Sequence, residues 1–311
     1  MKPNKLSAVL ITRNAALQLP ACLASLAFCD EVLVVDSGSD DDTVALARQQ
    51  GARVIETHWR GFGPQKQFAV EQAAHDWVLC IDADERVSER LRESVLAALA
   101  AVPPAPTFKK HAGPPQVFLG PLGGQGRRPQ DSRRLVPRSG MRLLRTERRK
   151  AALPGGDFLA YRFARCNRFM GRYLRHGEGY PDWSLRLFDR RQAHWSDDVV
   201  HEKVLTDAPV GVLPGDLLHD SAESLENYLA KQNRYSSLAA EAALAHGKRT
   251  STAHLLLSPL LRFVKFYVLR RGFLDGVPGL VHILIGCGAS FAKHAKMRQG
   301  ETKARSYPGA T

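Results

Sequence analysis

The 311-residue sequence is poor in cysteine and lacks several common signatures. Its five cysteines are scattered along the chain, and no two are spaced as Cys-X-X-Cys. This odd, dispersed set does not suggest a disulfide framework and favours a reducing compartment. No Gly-X-Gly-X-X-Gly follows the first predicted strand, and no Gly-X-X-X-X-Gly-Lys-Ser/Thr occurs. The sequence therefore lacks the signatures of dinucleotide-binding and P-loop proteins.

Long apolar runs are also missing. Residues 1–5 lead into a short strand pattern without the apolar core and cleavage site of a signal peptide. No uncharged apolar run approaches the roughly 20 residues that a membrane-spanning helix needs. We therefore expect a cytoplasmic protein, or one bound at the cytoplasmic face of the inner membrane.

Acidic residues are scarce relative to basic ones, and the formal net charge is +13. Residues 103–153 hold twelve Lys and Arg residues against two acidic residues, together with eight of the eighteen prolines. This composition predicts a disordered insertion, with a sequence artefact as the alternative. Because the positive charge lies here without interleaved aromatic residues, a nucleic-acid-binding function is disfavoured, and we expect no specific nucleic-acid partner.

The first hundred residues alternate short apolar strands with helices. The pattern predicts strands at 6–11, 31–35, 52–55 and 77–81, and helices at 17–28, 43–50, 65–74 and 88–101. Such alternation is typical of βαβ units and a parallel sheet, which binds ligands at the carboxyl ends of its strands. Thr12, Asp36 and Asp82 each follow a predicted strand, so we expect a binding site at this edge.

Two motifs near this edge suit a diphosphate. Asp82 and Asp84 follow an apolar strand at i, i+2, so both carboxylates can face one divalent cation. Taken alone, this pair is equally typical of a solvated turn. The glycine-rich loop 61–64 leads into the helix at 65–74, with Lys66 expected in its first turn, where phosphate groups bind readily.

The ordered set of motifs resembles family 2 glycosyltransferases, and more narrowly the branch of lipopolysaccharide inner-core β-1,4-glucosyltransferases. The resemblance covers residues 6–102 and about 156–297. It is carried by VVDSGSDDDT at 34–43, GFGPQK at 61–66, IDADER at 81–86, NRFMGR at 167–172, HGEGYPD at 176–182, RLFDRR at 186–191, VHE at 200–202 and RGFLDG at 271–276.

This resemblance implies an α/β protein with a GT-A fold, the nucleotide-diphospho-sugar transferase fold. Its mostly parallel sheet would be flanked by helices, with a C-terminal helical extension that associates with the membrane. We expect a nucleotide-sugar-binding half at 1–102, the basic insertion at 103–153, an acceptor-side half at 154–220 and a membrane-peripheral helical region at 221–311. The tail segments themselves read as too short and too charged to span a bilayer, and packing on the catalytic domain is the alternative.

The resemblance also assigns the donor side. Asp36 would contact the nucleoside, with Thr12 and Ser37 in its pocket, and Lys66 would lie near the diphosphate. Asp84 would be the principal ligand of a divalent cation, Mg²⁺ or Mn²⁺. Asp82 would point toward the ribose or the same cation.

On the acceptor side, Asp182 matches the position of the catalytic base, and pairing with Arg186 at i+4 is its structural alternative. His201 and Glu202 form a second candidate for the base, although substrate binding or ion pairing suits them better. His176 and Arg186 could hold an anionic acceptor.

Together these features predict an inverting transfer of a hexose, glucose from UDP-glucose in the first instance, to a lipid-linked saccharide of the lipopolysaccharide core. Another nucleotide sugar or another lipid-linked acceptor is the nearest alternative. The family usually has Asn-Glu where this chain has Asn14-Ala15. A catalytically inactive scaffold is disfavoured because Asp36, Asp82, Asp84 and Asp182 are all intact.

Overall fold

The computed structural model describes residues 4–102, 158–198, 202–220 and 224–306. The predicted insertion at 103–153 and the candidate His201 lie outside these ranges. Within them, nine strands form one mixed sheet and two short strands form a separate antiparallel pair.

The N-terminal part contains the predicted alternation of strands and helices. Strands β1 to β4 are parallel to one another, in the order β3-β2-β1-β4. The elements are β1 Leu6–Thr12, α1 Leu19–Ser25, β2 Glu31–Asp36, α2 Thr43–Gln49, β3 Arg53–Glu56, α3 Phe62–Gln72, β4 Trp77–Cys80, β5 Glu85–Val87 and α4 Glu89–Ala101.

Burial on both faces explains why these strands are almost continuously apolar. In β1, Leu6, Ala8 and Leu10 join the core on one side of the sheet, whereas Val9 joins the core on the other side. Successive side chains of a strand point to opposite faces, so a strand covered by helices on both sides needs apolar residues at every position.

The second part of the chain completes the same sheet. Strand β8 lies between β4 and β6 and is antiparallel to both, and β11 is parallel to β6 and antiparallel to β5. The elements are β6 Ala160–Phe169, β7 Arg172–Tyr173, β8 Asp182–Asp189, β9 Ala193–Trp195, β10 Val204–Thr206 and β11 Val210–His219. The pairing of β11 with β5 sets His219 opposite Glu85, beside the Asp82–Asp84 turn.

The C-terminal region is helical. It consists of α5 Leu225–Ala245, α6 Thr252–Phe263, a π-helical segment Val264–Leu269, a 3₁₀ turn Gly272–Asp275 and α7 Gly276–Ser306. Helix α5 begins after the Ser224 cap, whose hydroxyl accepts a hydrogen bond from the Asn227 N–H at 3.2 Å. Ala240 and Ala243 of α5 pack against Met297 of α7.

Polar contacts join this helical region to the sheet domain. The buried Asp275 carboxylate accepts hydrogen bonds from the backbone N–H groups of Arg175 and His176, at 3.0 and 2.8 Å. The Arg262 Nε donates to Glu178 Oε2 at 3.0 Å. The helices are therefore attached to the sheet domain on the side of residues 175–178.

Two predictions need correction: the start of α3 and the length of the apolar tail segments. Helix α3 begins at Phe62, three residues before the predicted start, so Lys66 lies in its second turn. The tail segments were predicted to be too short to span a membrane, and this was wrong as to length. Continuous helix joins their apolar runs, and Thr252–Leu269 and Gly272–Thr302 are long and apolar enough to cross a bilayer by length and composition alone.

Candidate active site

The carboxyl ends of the parallel strands open into a cavity of about 590 Å³, here called the strand-end cavity. It lies where ligands bind to sheets of this kind. Its lining residues come from the strand ends and the turn after β4, from α3 and the loop before it, and from the segment before β10. They are Ile11, Thr12, Arg13, Trp59, Phe62, Lys66, Asp82, Asp84, Glu202 and His219.

Behind this cavity, Asp36 organises the loop after β2. Its Oδ2 accepts hydrogen bonds from Thr12 Oγ1 at 2.8 Å and Ser39 Oγ at 2.6 Å. Its Oδ1 accepts from the N–H groups of Gly38 at 3.0 Å and Ser39 at 2.8 Å. Because a carboxylate has about four acceptor positions, these bonds satisfy Asp36 and orient Thr12 into the cavity.

Close packing fixes the start of α3. A Cβ added to Gly63 would lie 2.1 Å from the backbone oxygen of Ser196, so only glycine lets the two segments approach this closely. The loop after β2 is joined to α3 by a hydrogen bond that Gln65 Nε2 donates to Ser37 Oγ at 3.1 Å. These contacts carry Lys66 to the cavity wall, where its side chain is almost fully buried.

Lys66 and Arg186 neutralise Asp82 from two sides. Lys66 Nζ lies 3.1 Å from Asp82 Oδ1 and 2.9 Å from Glu202 Oε1, and Arg186 Nη2 donates to Asp82 Oδ2 at 2.8 Å. Burial alone would raise the pKa of Asp82, but the two adjacent cations hold that pKa well below its usual range. Asp82 is therefore ionised, and both of its oxygens are engaged by protein cations.

The completely buried Glu85 supports the turn that carries both aspartates. Its Oε2 accepts from the Asp82 N–H at 3.0 Å, and its Oε1 lies 3.5 Å from Arg186 Nη2 and 3.6 Å from Arg165 Nη1. Burial raises the pKa of Glu85, an effect that Arg186 partly opposes. The turn is thus held from below by a network of buried ions.

Asp84 has a different environment, since its nearest polar neighbour is a histidine. His219 Nε2 lies 3.1 Å from Asp84 Oδ2, and His219 Nδ1 lies 2.8 Å from Asn167 Oδ1. Asn167 Oδ1 is an acceptor, so the His219 tautomer with its proton on Nδ1 satisfies this bond and makes Nε2 available as a metal ligand. In that tautomer, Nε2 and Asp84 Oδ2 are two electron-pair donors 3.1 Å apart, a separation that suits neighbouring ligands of one cation.

The donor chemistry of Asp84 and His219 suits a divalent cation. Carboxylate oxygen and imidazole nitrogen are both ligands of divalent metals, and an outer hydrogen bond like that of Asn167 is typical of metal-binding histidines. Within the described ranges, no group of three or more His, Cys, Asp or Glu side chains is arranged around one point. The protein would therefore supply two ligands, and the remainder would come from a bound diphosphate and water.

The family comparison decides what kind of domain this is. Residues 7–108 match the family model described as Glycosyl transferase family 2. Residues 7–108 are a family 2 glycosyltransferase sequence. The matched range contains β1 to β5 and the cavity-lining residues Thr12, Lys66, Asp82 and Asp84. The predicted family and α/β fold class are confirmed.

Full-length relatives agree with this family. A lipopolysaccharide core biosynthesis glycosyltransferase, LpsC of Rhizobium meliloti, is 29% identical over 300 residues, which cover 94% of this chain and 92% of LpsC. An uncharacterised glycosyltransferase of Rickettsia felis is 29% identical over 313 residues, which cover 97% of this chain and 93% of that protein. The similarity thus extends through the C-terminal helices.

One solved structure matches a shorter stretch of the chain. Glucosyl-3-phosphoglycerate synthase from Mycobacterium tuberculosis, in complex with Mn²⁺, uridine diphosphate and phosphoglyceric acid, is 29% identical to this chain with a TM-score of 0.25. The matched stretch covers 27% of this chain and 34% of that protein.

The structure brings most of the predicted donor-side residues together. Thr12, Lys66, Asp82 and Asp84 line the strand-end cavity, whereas Asp36 and Ser37 lie behind it as buried supports. Glu202, predicted on the acceptor side, lines the same cavity through its ion pair with Lys66.

The predicted acceptor-side residues are spread more widely. Arg186 is buried beneath the Asp82–Asp84 turn, because β8 is an interior strand of the sheet. His176 Nδ1 lies 3.0 Å from Asp275 Oδ1, so it joins the sheet domain to the helical region. Asp182 does not pair with Arg186; its Oδ2 accepts instead from Arg165 Nε at 2.9 Å.

His219 and Asn167 were absent from the sequence predictions. His219 is the last residue of a strand, as are Thr12 and Asp36, and that position was the available signal. Its relation to Asp84 spans 135 residues of chain. Only the pairing of β11 with β5 and β6 brings it to the cation site.

Proposed function

We propose that this chain is an inverting, cation-dependent glycosyltransferase. It transfers a hexose, with glucose from UDP-glucose as the first donor to test, to a lipid-linked saccharide of lipopolysaccharide core biosynthesis. The observation that carries this proposal is the convergence of Asp84, His219 and Lys66 on one cavity at the carboxyl ends of the parallel strands. Carboxylate, imidazole and ammonium groups in this arrangement suit the diphosphate of a nucleotide sugar.

The donor enters the strand-end cavity with its nucleoside toward the end of β1. Trp59 and Phe62 form an edge-to-face pair at 4.9 Å and are each about half exposed, so they offer a stacking surface for the base. Thr12, oriented by Asp36, supplies a hydroxyl to the nucleoside pocket. In this arrangement Asp36 supports the nucleoside pocket through Thr12 and does not contact the nucleoside directly.

Lys66 interacts with the diphosphate of the donor in this proposal. Its ammonium already balances Asp82 and Glu202, so it is held in place before the donor binds. A preorganised positive group near a leaving diphosphate stabilises the charge that develops as the glycosidic bond breaks. Arg186 contributes from beneath by keeping Asp82 ionised and in position.

Asp84 and His219 would hold the divalent cation. A bound Mg²⁺ or Mn²⁺ adds positive charge to the diphosphate and lowers the barrier to its departure. The imidazole ligand favours Mn²⁺ over Mg²⁺, because Mg²⁺ prefers an all-oxygen shell. Asn167 favours this role by accepting a hydrogen bond from Nδ1–H, which leaves Nε2 as the metal-binding nitrogen.

Asp182 is the proposed general base. Its carboxylate is partly exposed and is aligned by Arg165, which also reaches Glu85 beneath the site. An inverting displacement needs one base on the acceptor side, to remove the proton of the attacking hydroxyl. His201 lies outside the described residues, and Glu202 is committed to Lys66, which leaves Asp182 as the better candidate.

Calorimetric titration of nucleotides into the full chain tests the donor site. We expect UDP and UDP-glucose to bind at least about tenfold more tightly with Mn²⁺ than in EDTA, since the cation neutralises the diphosphate. GDP serves as the control nucleotide and should bind more weakly than UDP. Equal binding of GDP and UDP would contradict the uridine assignment, and failure of every nucleotide to bind would indicate a catalytically inactive scaffold.

The helical region is proposed to dock peripherally on the cytoplasmic leaflet of the inner membrane. One face of α6 and the following π-helical segment exposes a row of aliphatic side chains: Leu256, Leu257, Leu260, Leu261, Val264 and Val268. Basic residues flank this row at Lys265, Arg270 and Arg271. An exposed apolar face bordered by cations is typical of helices that lie in an anionic leaflet. The Arg262–Glu178 ion pair holds α6 against the sheet domain, which favours lying on the membrane over crossing it.

Membrane docking is tested by sedimentation with vesicles of phosphatidylcholine containing phosphatidylglycerol. The variant Leu257→Glu/Leu261→Glu is expected to lose most of its vesicle binding, because each change places a charge on the apolar face. Leu17→Glu is the matched control, since Leu17 is 86% exposed on the sheet domain. Full vesicle binding by the double variant would exclude this face of α6 as the membrane-docking surface. Resistance of wild-type binding to an alkaline carbonate wash would mean that the helices cross the bilayer.

A further inference from the structure

A second cavity, of about 510 Å³, adjoins the strand-end cavity. His219 lines both, so the two spaces meet at the proposed cation site. One wall comes from β6 and the turn before β7, and the other comes from α5 and α7. The second cavity is therefore partly built by the C-terminal helices.

The second cavity has a positive lining. Arg165, Arg168 and Lys231 contribute to it, and none of its described lining residues is Asp or Glu. Arg165 is held by Asp182 at 2.9 Å, but Arg168 reaches Asp220 only at 3.5 Å and is 48% exposed. Arg168 is thus able to turn toward a ligand, and its guanidinium is suited to paired contacts with phosphate or carboxylate oxygens.

Three rings form the other part of the lining. The centroid of Phe169 lies 5.3 Å from those of both Tyr228 and His282. The Tyr228 hydroxyl and His282 Nε2 are 2.9 Å apart, which locks α5 to α7 at this point. Rings that combine an apolar face with a polar edge suit a sugar, since its C–H groups can pack on the face while its hydroxyls reach the edge.

We propose that the second cavity is the acceptor site and that it takes an anionic saccharide, with a phosphate or carboxylate group bound by Arg168 and Lys231. This inference rests on the proposed function and adds the chemical class of the acceptor. Its position is consistent with the reaction, because His219 joins the cavity to the cation site and Arg165, which lines the cavity, pairs with Asp182, the proposed base. An acceptor in this space would lie beside the cation site.

The arrangement also gives α5 and α7 a second role. Tyr228 and Lys231 lie on α5 and His282 lies on α7, so the helical region proposed to dock through α6 also forms part of the acceptor site. A saccharide attached to a lipid in the same leaflet would reach this cavity without leaving the membrane surface.

The inference is tested on the full chain with three small probes: glucose 6-phosphate, glucuronate and glucose. Saturation-transfer NMR in the presence of diamagnetic Mg²⁺ and UDP measures their relative binding. We expect at least one anionic probe to bind about tenfold more tightly than glucose, and Arg168→Gln to remove that preference, because a charge-assisted hydrogen-bond pair is lost. Arg48→Gln, at an exposed ion pair on α2, is the matched control.

The two anionic probes distinguish a phosphate site from a carboxylate site. Equal binding of glucose and both anions would overturn the inference, and so would a preference that persists in Arg168→Gln. Lys231→Gln provides an independent second variant and should lower the preference by itself. UDP binding in the same samples reports on the proposed function. If UDP binds and the preference for an anionic probe is absent, only the acceptor inference fails. If wild type does not bind UDP, the donor proposal fails, and the preference among the probes still tests whether the second cavity binds an anionic saccharide.

Discussion

Asp84→Asn is expected to lower the rate of sugar transfer by at least about 100-fold, as expected when a group that stabilises transition-state charge is removed. An amide keeps the shape of the side chain but removes the negative charge that faces His219 across the cation site. UDP affinity measured with Mn²⁺ should fall to the level measured in EDTA. Initial rates of UDP release and calorimetric titration check the two parts of this prediction.

The effect should be confined to the site. The Asp84 side chain is 36% exposed and contacts His219, whereas the hydrogen bond from the Asp220 N–H is made to its backbone oxygen. We therefore expect the thermal midpoint of Asp84→Asn to match that of wild type. Asp207→Asn, at an exposed position between β10 and β11, is the control and should leave transfer unchanged. If Asp84→Asn retained Mn²⁺-dependent UDP binding, the assignment of the cation ligand would be incorrect.

Arg186→Met is expected to lower the free energy of unfolding by about 3–5 kcal/mol, the usual cost of removing one partner from a buried ion pair. Arg186 lies between Asp82 and Glu85 beneath the cavity, and both carboxylates are left facing one another when it is removed. Those two neighbours raise the pKa of Arg186 despite its burial, so the side chain is charged in the folded protein. Urea denaturation followed by far-ultraviolet circular dichroism measures the change.

A surface pair provides the comparison for this stability effect. Arg48 and Glu56 are 2.6 Å apart, but both side chains are 58% exposed. Arg48→Met should therefore cost no more than about 1 kcal/mol, because water screens the interaction. Arg186→Lys should recover part of the stability by restoring a positive charge. Equal losses for Arg186→Met and Arg48→Met would show that the buried network contributes little.

The sequence pattern predicted the N-terminal strands and their polar ends because both depend on local chemistry. Strands buried on two faces must be apolar at successive positions, so β1, β2 and β4 are visible as short apolar runs. The polar residue that ends such a run lies at the edge of a parallel sheet wherever the strand is placed. Thr12, Asp36 and Asp82 were found in this way.

The start of α3 was less predictable. Gly61, Gly63 and Pro64 indicate a loop by propensity, yet the helix begins at Phe62. Gly61 has a φ of 97°, which ends the loop, and Pro64 is tolerated because it lies in the first helical turn, where N–H groups have no intrahelical partner. The loop signals therefore mark the start of the helix, and Lys66 lies in the second turn and not the first.

The two aspartates of the central motif show where sequence reasoning ends. The i, i+2 spacing makes Asp82 and Asp84 equivalent as possible cation ligands. In the folded chain they differ because Lys66 from α3 and Arg186 from β8 bind Asp82, while His219 from β11 faces Asp84. Arg186 was expected on the acceptor side, where it could hold an anionic acceptor. It is buried because β8 inserts between β4 and β6.

The sequence by itself determined the family, the alternating strands and helices, and the strand ends that carry the donor residues, since each is a property of a short stretch of chain. Only the tertiary structure decided which groups meet there. Strands β6, β8 and β11 join the sheet from more than eighty residues beyond α3, and they bring His219 and Arg165 to a site that β1 to β4 begin. Helices α5 and α7 then complete the second cavity. Contacts of this kind depend on the order of strands in the sheet, which no local pattern encodes.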